Sequence, residues 1–200
     1  MHRRKTLLIV AVLASGVAVA ALAAIFFSPA PAGTAGAGAN LAALYESATT
    51  TLRYGVPIRI VRVIDGDTVV LEGGAHLRYI GIDTPEEVKP NTPVQCYAME
   101  AAAENKALVE GKLVTIYKDV SAVDIYGRYL GFVYLPDGTF VNQKLVADGA
   151  AFAYPYKPDT SKKVVFAAAQ TAAKTTGLGL WSACKPFQES NGRWQTNAVQ

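Results

Sequence analysis

The sequence predicts an α+β domain built on a small Greek-key β-barrel, and three observations carry that prediction. Five short segments rich in β-branched and aromatic residues are bounded by turn residues, helical segments are interleaved among them, and no regular β-α-β alternation is present. A long apolar segment precedes this domain, so the 200 residues divide into one ordinary globular unit and an N-terminal extension.

The extension comes first in the chain. Met1 to Lys5 is basic, and Thr6 to Phe27 is an uninterrupted run of apolar or small residues. As a helix it reaches about 33 Å, against a hydrocarbon core of about 30 Å, so it can span a bilayer. A cleavable signal peptide has a shorter apolar core, about 7–15 residues, which favours an uncleaved anchor over residues 1–27. Ala30-Pro31-Ala32 before Gly33 keeps cleavage open as the alternative. In either case His2-Arg3-Arg4-Lys5 predicts a cytoplasmic N-terminus, with the rest of the chain outside the membrane, anchored or secreted. Arg3-Arg4 lacks good twin-arginine flanks and reads as ordinary n-region charge. Residues 28–56 read as a tether: Ser28 to Asn40 is rich in Ala, Gly and Pro, and Leu41 to Leu52 suits a short helix.

The globular domain is expected over residues 57–184, with a tail over 185–200. Its first three strands are expected near Ile58–Ile64, Thr68–Glu72 and His76–Ile82. Asp65-Gly66 supplies a tight hairpin turn between the first two. Leu77 to Ile82 alternates in and out as a half-buried strand, and Pro85 ends it. Glu87 to Gln95 is a loop. Ala98 to Val109 has a small-residue helical face at Met99, Ala102, Ala103, Lys106 and Ala107, and Gly111 ends it. Strands follow at Val114–Tyr117 and Tyr129–Leu135. The Pro136-Asp137-Gly138 turn leads into a second helix, Val141 to Ala147. A third is expected from about Thr160 to Thr175, with Thr160 as its cap.

The net charge of +3 says little about nucleic-acid affinity. Three of the nineteen Lys and Arg lie at the N-terminus, and the remaining sixteen balance sixteen acidic residues. Any such affinity rests on local clustering, for example of Arg78, Arg128, Lys157, Lys162 and Lys163. Cys96 and Cys184 are the only cysteines. In an exported chain such a pair reads as one disulfide. Closing a loop of that length contributes about 4–5 kcal/mol in the chain-entropy model. Metal ligation is the alternative, and the histidines at 2 and 76 have no suitable spacing for it.

The chemistry is concentrated in Val63-Ile64-Asp65-Gly66-Asp67-Thr68-Val69, Arg78 and Ile82-Asp83-Thr84-Pro85-Glu86. The strand ends aim carboxylates and one arginine at a single place. Hard oxygen ligands beside a bidentate phosphate donor point to metal-assisted phosphodiester chemistry. An isolated aspartate beside Gly or Thr more simply makes a turn, but the combination with Arg78 and Glu86 favours function.

These residues carry a resemblance to the thermonuclease family, the staphylococcal-nuclease-like fold. It continues through Asp124-Ile125-Tyr126-Gly127-Arg128, Gly138-Thr139-Phe140-Val141-Asn142, Gly149-Ala150, Tyr154-Pro155-Tyr156-Lys157-Pro158 and Gly179-Leu180-Trp181-Ser182, covering roughly Pro57 to Cys184. The resemblance implies an OB-fold barrel of five strands with three helices. It implies calcium held by Asp67, Asp83 and the Thr84 carbonyl, and Glu86 taking a proton from the attacking water or ordering it. Arg78 and Arg128 would clamp the phosphate, and Tyr126, Tyr154 and Tyr156 would surround the nucleotide. The implied activity is cleavage of single-stranded DNA and RNA at the P–O5′ bond to give 3′-phosphates, with little base specificity; the sequence does not give the oligomeric state, and a monomeric catalytic domain is the default expectation. Lys157-Pro158 matches a dipeptide often cis in relatives. Two departures stand out: Ile125 occupies a place often held by lysine, and the loop Glu87 to Gln95 is not lysine-rich. Two other classes of function compete: an OB-fold module that binds single strands without cutting them, and an envelope domain in which the barrel is only a scaffold.

Overall fold

The computed structural model describes residues 51–87 and 93–199. The apolar segment, the tether as far as residue 50 and part of the loop after Glu87 lie outside the described residues. Among the described residues, no helix is long and apolar enough to cross a membrane.

The strands are β1 (Pro57–Val63), β2 (Thr68–Leu71), β3 (His76–Tyr79), β4 (Ile82–Asp83), β5 (Leu113–Tyr117), β6 (Tyr129–Tyr134), β7 (Phe152–Ala153), β8 (Phe187–Gln188) and β9 (Trp194–Gln195). Five of them close into a barrel in the order β1-β2-β3-β6-β5. β1 pairs antiparallel with β2 in one half and with β5 in the other, and the register shift between Ile60 and Arg62 bends it so that it serves both. β3 and β6 run parallel, which requires the long crossover between them. This is the five-stranded α+β barrel the sequence predicts. Its inside is filled by Ile60, Val69, Leu71, Leu77, Ile116 and Val133, all fully buried. Each such side chain contributes about 1.5–3 kcal/mol relative to an exposed one.

Four features differ from the sequence expectation. The strand expected over His76–Ile82 breaks after Tyr79, because Gly81 sits at φ +80°, a conformation costly for residues with a β-carbon. The chain leaves the barrel there, and β4 pairs instead with β7, Asp83 opposite Phe152. There are four helices among the described residues: α1 (Ala98–Val109), α2 (Val141–Ala147), α3 (Lys163–Thr176) and the single-turn α4 (Leu180–Ala183). Thr160 does not cap α3. It belongs to the preceding turn, where its carbonyl accepts from Lys163 N–H, and the helix starts behind Lys162 without a side-chain cap. In α1 the buried positions are Ala98, Ala101, Asn105 and Val109, while Met99 on the expected small-residue face is exposed.

The packed unit extends beyond both expected edges. Leu52 is buried in the core, and the Tyr54 hydroxyl donates to the carbonyls of Ala122 and Leu130. At the other end, the residues expected as a tail form the β8–β9 hairpin, and Thr196 is buried. Cys96 N–H donates to Asn197 O and Val199 N–H to Val94 O, so this terminus pairs with the segment that leads into α1. The Cys96–Cys184 disulfide closes the same region across 88 residues of sequence. Reduction of that bond is expected to lower unfolding stability by about 2–5 kcal/mol. Urea unfolding of the oxidised and reduced protein checks this, and coincident midpoints would exclude it.

Candidate active site

The β1–β2 connection and the exit of β4 bring Asp67 and Asp83 together. Gly66 does not have positive φ, so the tight-turn reason for a glycine in Asp-Gly-Asp is not the one that operates here. Gly66 is buried, and a β-carbon on it would lie 2.6 Å from Thr84 Cγ2. The glycine allows the β4 exit to approach the turn. Thr84 then donates to Asp67 Oδ2 through both its backbone N–H, at 2.9 Å, and its hydroxyl, at 3.1 Å. Asp65 accepts from Asp67 N–H through Oδ1 at 2.9 Å and so shapes the turn.

One guanidinium spans both aspartates. Arg78 projects from β3 with Nη1 2.5 Å from Asp67 Oδ2 and Nη2 3.0 Å from Asp83 Oδ1. Burial pushes the Asp67 carboxyl up to about 6 against the opposing pull of Arg78. Burial likewise raises Asp83, with Arg78 and Arg193 opposing it. For Arg78 the order reverses: burial disfavours its charge, but Asp67, Asp83 and Asp65 outweigh that and hold it protonated. Two carboxylates whose charge remains costly beside an arginine form a donor set suited to a hard divalent cation. Among the described residues no three His, Cys, Asp or Glu side chains are grouped as a metal site. Such an ion would therefore need main-chain carbonyl and water ligands as well.

Asp67, Arg78, Asp83, Thr84 and Glu86 line one cavity of about 1060 Å³, and Tyr126, Arg128, Tyr154 and Tyr156 line it too. Glu86 is half-buried. Its backbone is gripped by Gln95, which accepts from Glu86 N–H through Oε1 at 2.8 Å and donates its own N–H to Glu86 O at 2.9 Å. Gln95 Nε2 in turn donates to Gln195 Oε1 of β9, at 3.1 Å.

Arg128 reaches the cavity separately. Asp124 Oδ1 accepts from the backbone N–H of Tyr126 and of Arg128, each at 2.9 Å, and Asp124 Oδ2 accepts from Arg128 Nε at 2.7 Å. Although burial opposes it, the hydrogen bonds and charge of Arg128 hold the Asp124 carboxyl below the usual range. Arg128 Cζ lies 5.6 Å from the Tyr126 ring centroid. Tyr154 and Tyr156 stack with centroids 6.2 Å apart, and Tyr156 is largely exposed. Among the described residues, Ile125 is the most open of the large apolar side chains, at 91% exposure. The Lys157-Pro158 peptide is cis.

Residues 76–183, more than half of the chain, match the family described as Staphylococcal nuclease homologue. The chain belongs to this family. It is 39% identical over 127 residues to the thermonuclease of Staphylococcus hyicus, covering 62% of this chain and 75% of that protein. With the thermonuclease of Staphylococcus intermedius it shares 37% identity over 140 residues, covering 68% and 82% respectively. It is 40% identical over 132 residues to endonuclease YncB of Bacillus subtilis (strain 168), covering 64% and 62%.

Arg193, which lines the same cavity, is not marked by the sequence. It lies on the β8–β9 hairpin, beyond the matched residues, and its Nε donates to Asp83 Oδ2 at 2.7 Å. Asn191-Gly192 flanked by aromatic residues is a hairpin signal that would have pointed to this fold-back. Asn105 is not marked either. Its amide accepts from the Tyr79 hydroxyl and donates to Asp65 O, tying α1 to the turn that carries Asp67. A polar residue inside a helical pattern carries no sequence mark of such a role.

Proposed function

We propose that this protein is a calcium-dependent endonuclease that hydrolyses single-stranded DNA and RNA at the P–O5′ bond, leaving 3′-phosphates, with its catalytic domain outside the membrane. The supporting observation is the single guanidinium of Arg78 bridging two buried aspartates in a cavity that also holds Glu86 and Arg128. The similarity to proteins named thermonuclease and endonuclease supports the same reading. The apolar N-terminal run and the disulfide favour an extracytoplasmic domain, anchored or secreted.

Asp67, Asp83 and the Thr84 carbonyl would hold the ion. Calcium held there supplies positive charge to the scissile phosphate and its surroundings. Glu86, fixed through its backbone by Gln95, orients the attacking water and takes its proton. Arg78 and Arg128 meet the phosphate oxygens on which charge grows as the nucleophile arrives in line. Arg128 acts by charge and hydrogen bonding, since a guanidinium rarely releases a proton. Tyr126, Tyr154 and Tyr156 offer ring faces to bases, which gives affinity with little sequence preference.

Incubating the purified chain with single-stranded DNA and RNA, in calcium and in chelator, tests this reading. Calcium-dependent fragments ending in 3′-phosphate are expected from both substrates. A folded, oxidised protein that binds the strand in calcium and leaves it uncut would overturn it in favour of a binding module.

A further inference from the structure

We propose that Arg193, delivered by the C-terminal β8–β9 hairpin, forms a phosphate-binding subsite for the single-stranded substrate next to Asp83. This rests on the nuclease reading of the cavity and adds to it a residue outside the family match, which ends at residue 183.

Three observations carry it. Arg193 contacts Asp83 through Nε, and Asp83 already accepts from Arg78 through its other oxygen. Among the described residues the Nη groups of Arg193 have no hydrogen-bond partner, so that side of its planar fork is available to a phosphate oxygen. Next, Arg193 Cζ lies 5.7 Å from the Tyr154 ring centroid, and Tyr154 stacks on the largely exposed Tyr156. A base stacked on this tyrosine pair would bring its phosphate within reach of Arg193, the pairing of ring and cation that single-strand sites use.

The hairpin is also held in place independently of Arg193. Trp194 stacks on Phe152 at 6.2 Å and meets Trp181 edge-on at 5.3 Å, and Lys174 Nζ lies 4.6 Å from the Trp194 ring centroid. Gln195 holds Gln95, and the terminus pairs with the segment around Cys96. A side chain on so well-anchored a hairpin meets a ligand with little ordering cost. Arg193 remains part-exposed and borders the cavity, as a binding group must.

The test uses the full chain carrying Glu86→Gln, so that a strand is bound without being cut. A fluorescent oligothymidylate is titrated in calcium at several salt concentrations, with Arg193→Gln and Arg193→Lys added in turn. Arg193→Gln is expected to weaken binding about tenfold and to reduce the salt slope by about 0.7, the loss of one single-strand phosphate contact. Arg193→Lys should keep the slope and lose only part of the affinity. Melting temperatures are expected to be alike, because Arg78 still pairs with Asp83 and Trp194 and Gln195 still anchor the hairpin. Unchanged affinity and slope in Arg193→Gln would overturn the subsite. So would equal losses in Gln and Lys variants accompanied by lower melting temperatures, which would make Arg193 a structural ion pair. If the parent chain cuts DNA in calcium while Arg193→Gln binds normally, only this inference fails. If the parent neither cuts nor binds, the nuclease reading fails with it.

Discussion

Glu86→Gln is expected to slow cleavage of single-stranded DNA by about 10²–10⁴-fold while leaving the affinity for the strand nearly unchanged. Glutamine has the shape of glutamate but cannot take a proton. The loop around it should not move, because Gln95 grips the backbone of residue 86 and leaves its carboxylate alone. The aspartates proposed to hold the ion are likewise untouched. The loss should therefore fall on the chemical step, and single-turnover cleavage alongside strand binding measures the two separately. A loss of less than about tenfold would show that Glu86 does not take the proton.

Arg78→Gln is expected to affect both rate and stability. Removing a donor aimed at developing charge lowers turnover by about 10²–10³-fold. Arg78 also bridges Asp67 and Asp83, both nearly buried, and loss of one partner from a buried ion pair costs about 3–5 kcal/mol. Arg193 still reaches Asp83, so Asp67 is the group left most exposed to that cost. Calcium held as proposed would supply positive charge to the same two carboxylates, so it should restore part of the stability but not turnover. Melting temperatures with and without calcium, read beside cleavage rates, check this. An apo variant as stable as the parent would mean that the bridge contributes nothing to the fold. Arg78→Lys is expected to fall short as well, since a point charge cannot bridge two carboxylates as a planar fork does.

The legible parts of this protein are those written in local pattern. Runs of β-branched and aromatic residues bounded by turn residues place all five barrel strands, and apart from the early break of β3 their ends agree to within about two residues, the usual fraying of such boundaries. The clustering of Asp67, Arg78, Asp83, Thr84 and Glu86 at strand ends is visible for the same reason: a strand alternates its side chains, and its polar neighbours gather at the turns. The structure brings those residues to one cavity. The pairing of Cys96 with Cys184 needs only a count.

The hidden parts depend on contacts between distant segments. The break of β3 at Gly81 comes from its positive φ and from Phe166, whose ring would lie 2.2 Å from a β-carbon placed there. Gly66 reads as a turn former, yet its lack of a side chain matters because Thr84 packs against it. The buried face of α1 differs from the one its small residues suggest, because Asn105, a polar residue, is the one that reaches inward.

The sequence by itself thus determined the barrel and the acid-and-arginine cluster, because those rest on spacing along one strand or across one turn, and the family, because its resemblance runs through motifs from Pro57 to Cys184. Only the tertiary structure decided that the C-terminal residues fold back, that Gln195 holds the residue gripping Glu86, and that Arg193 reaches Asp83 from 110 positions away. Such contacts arise where separate segments pack together, and no local periodicity records which partner a side chain will meet.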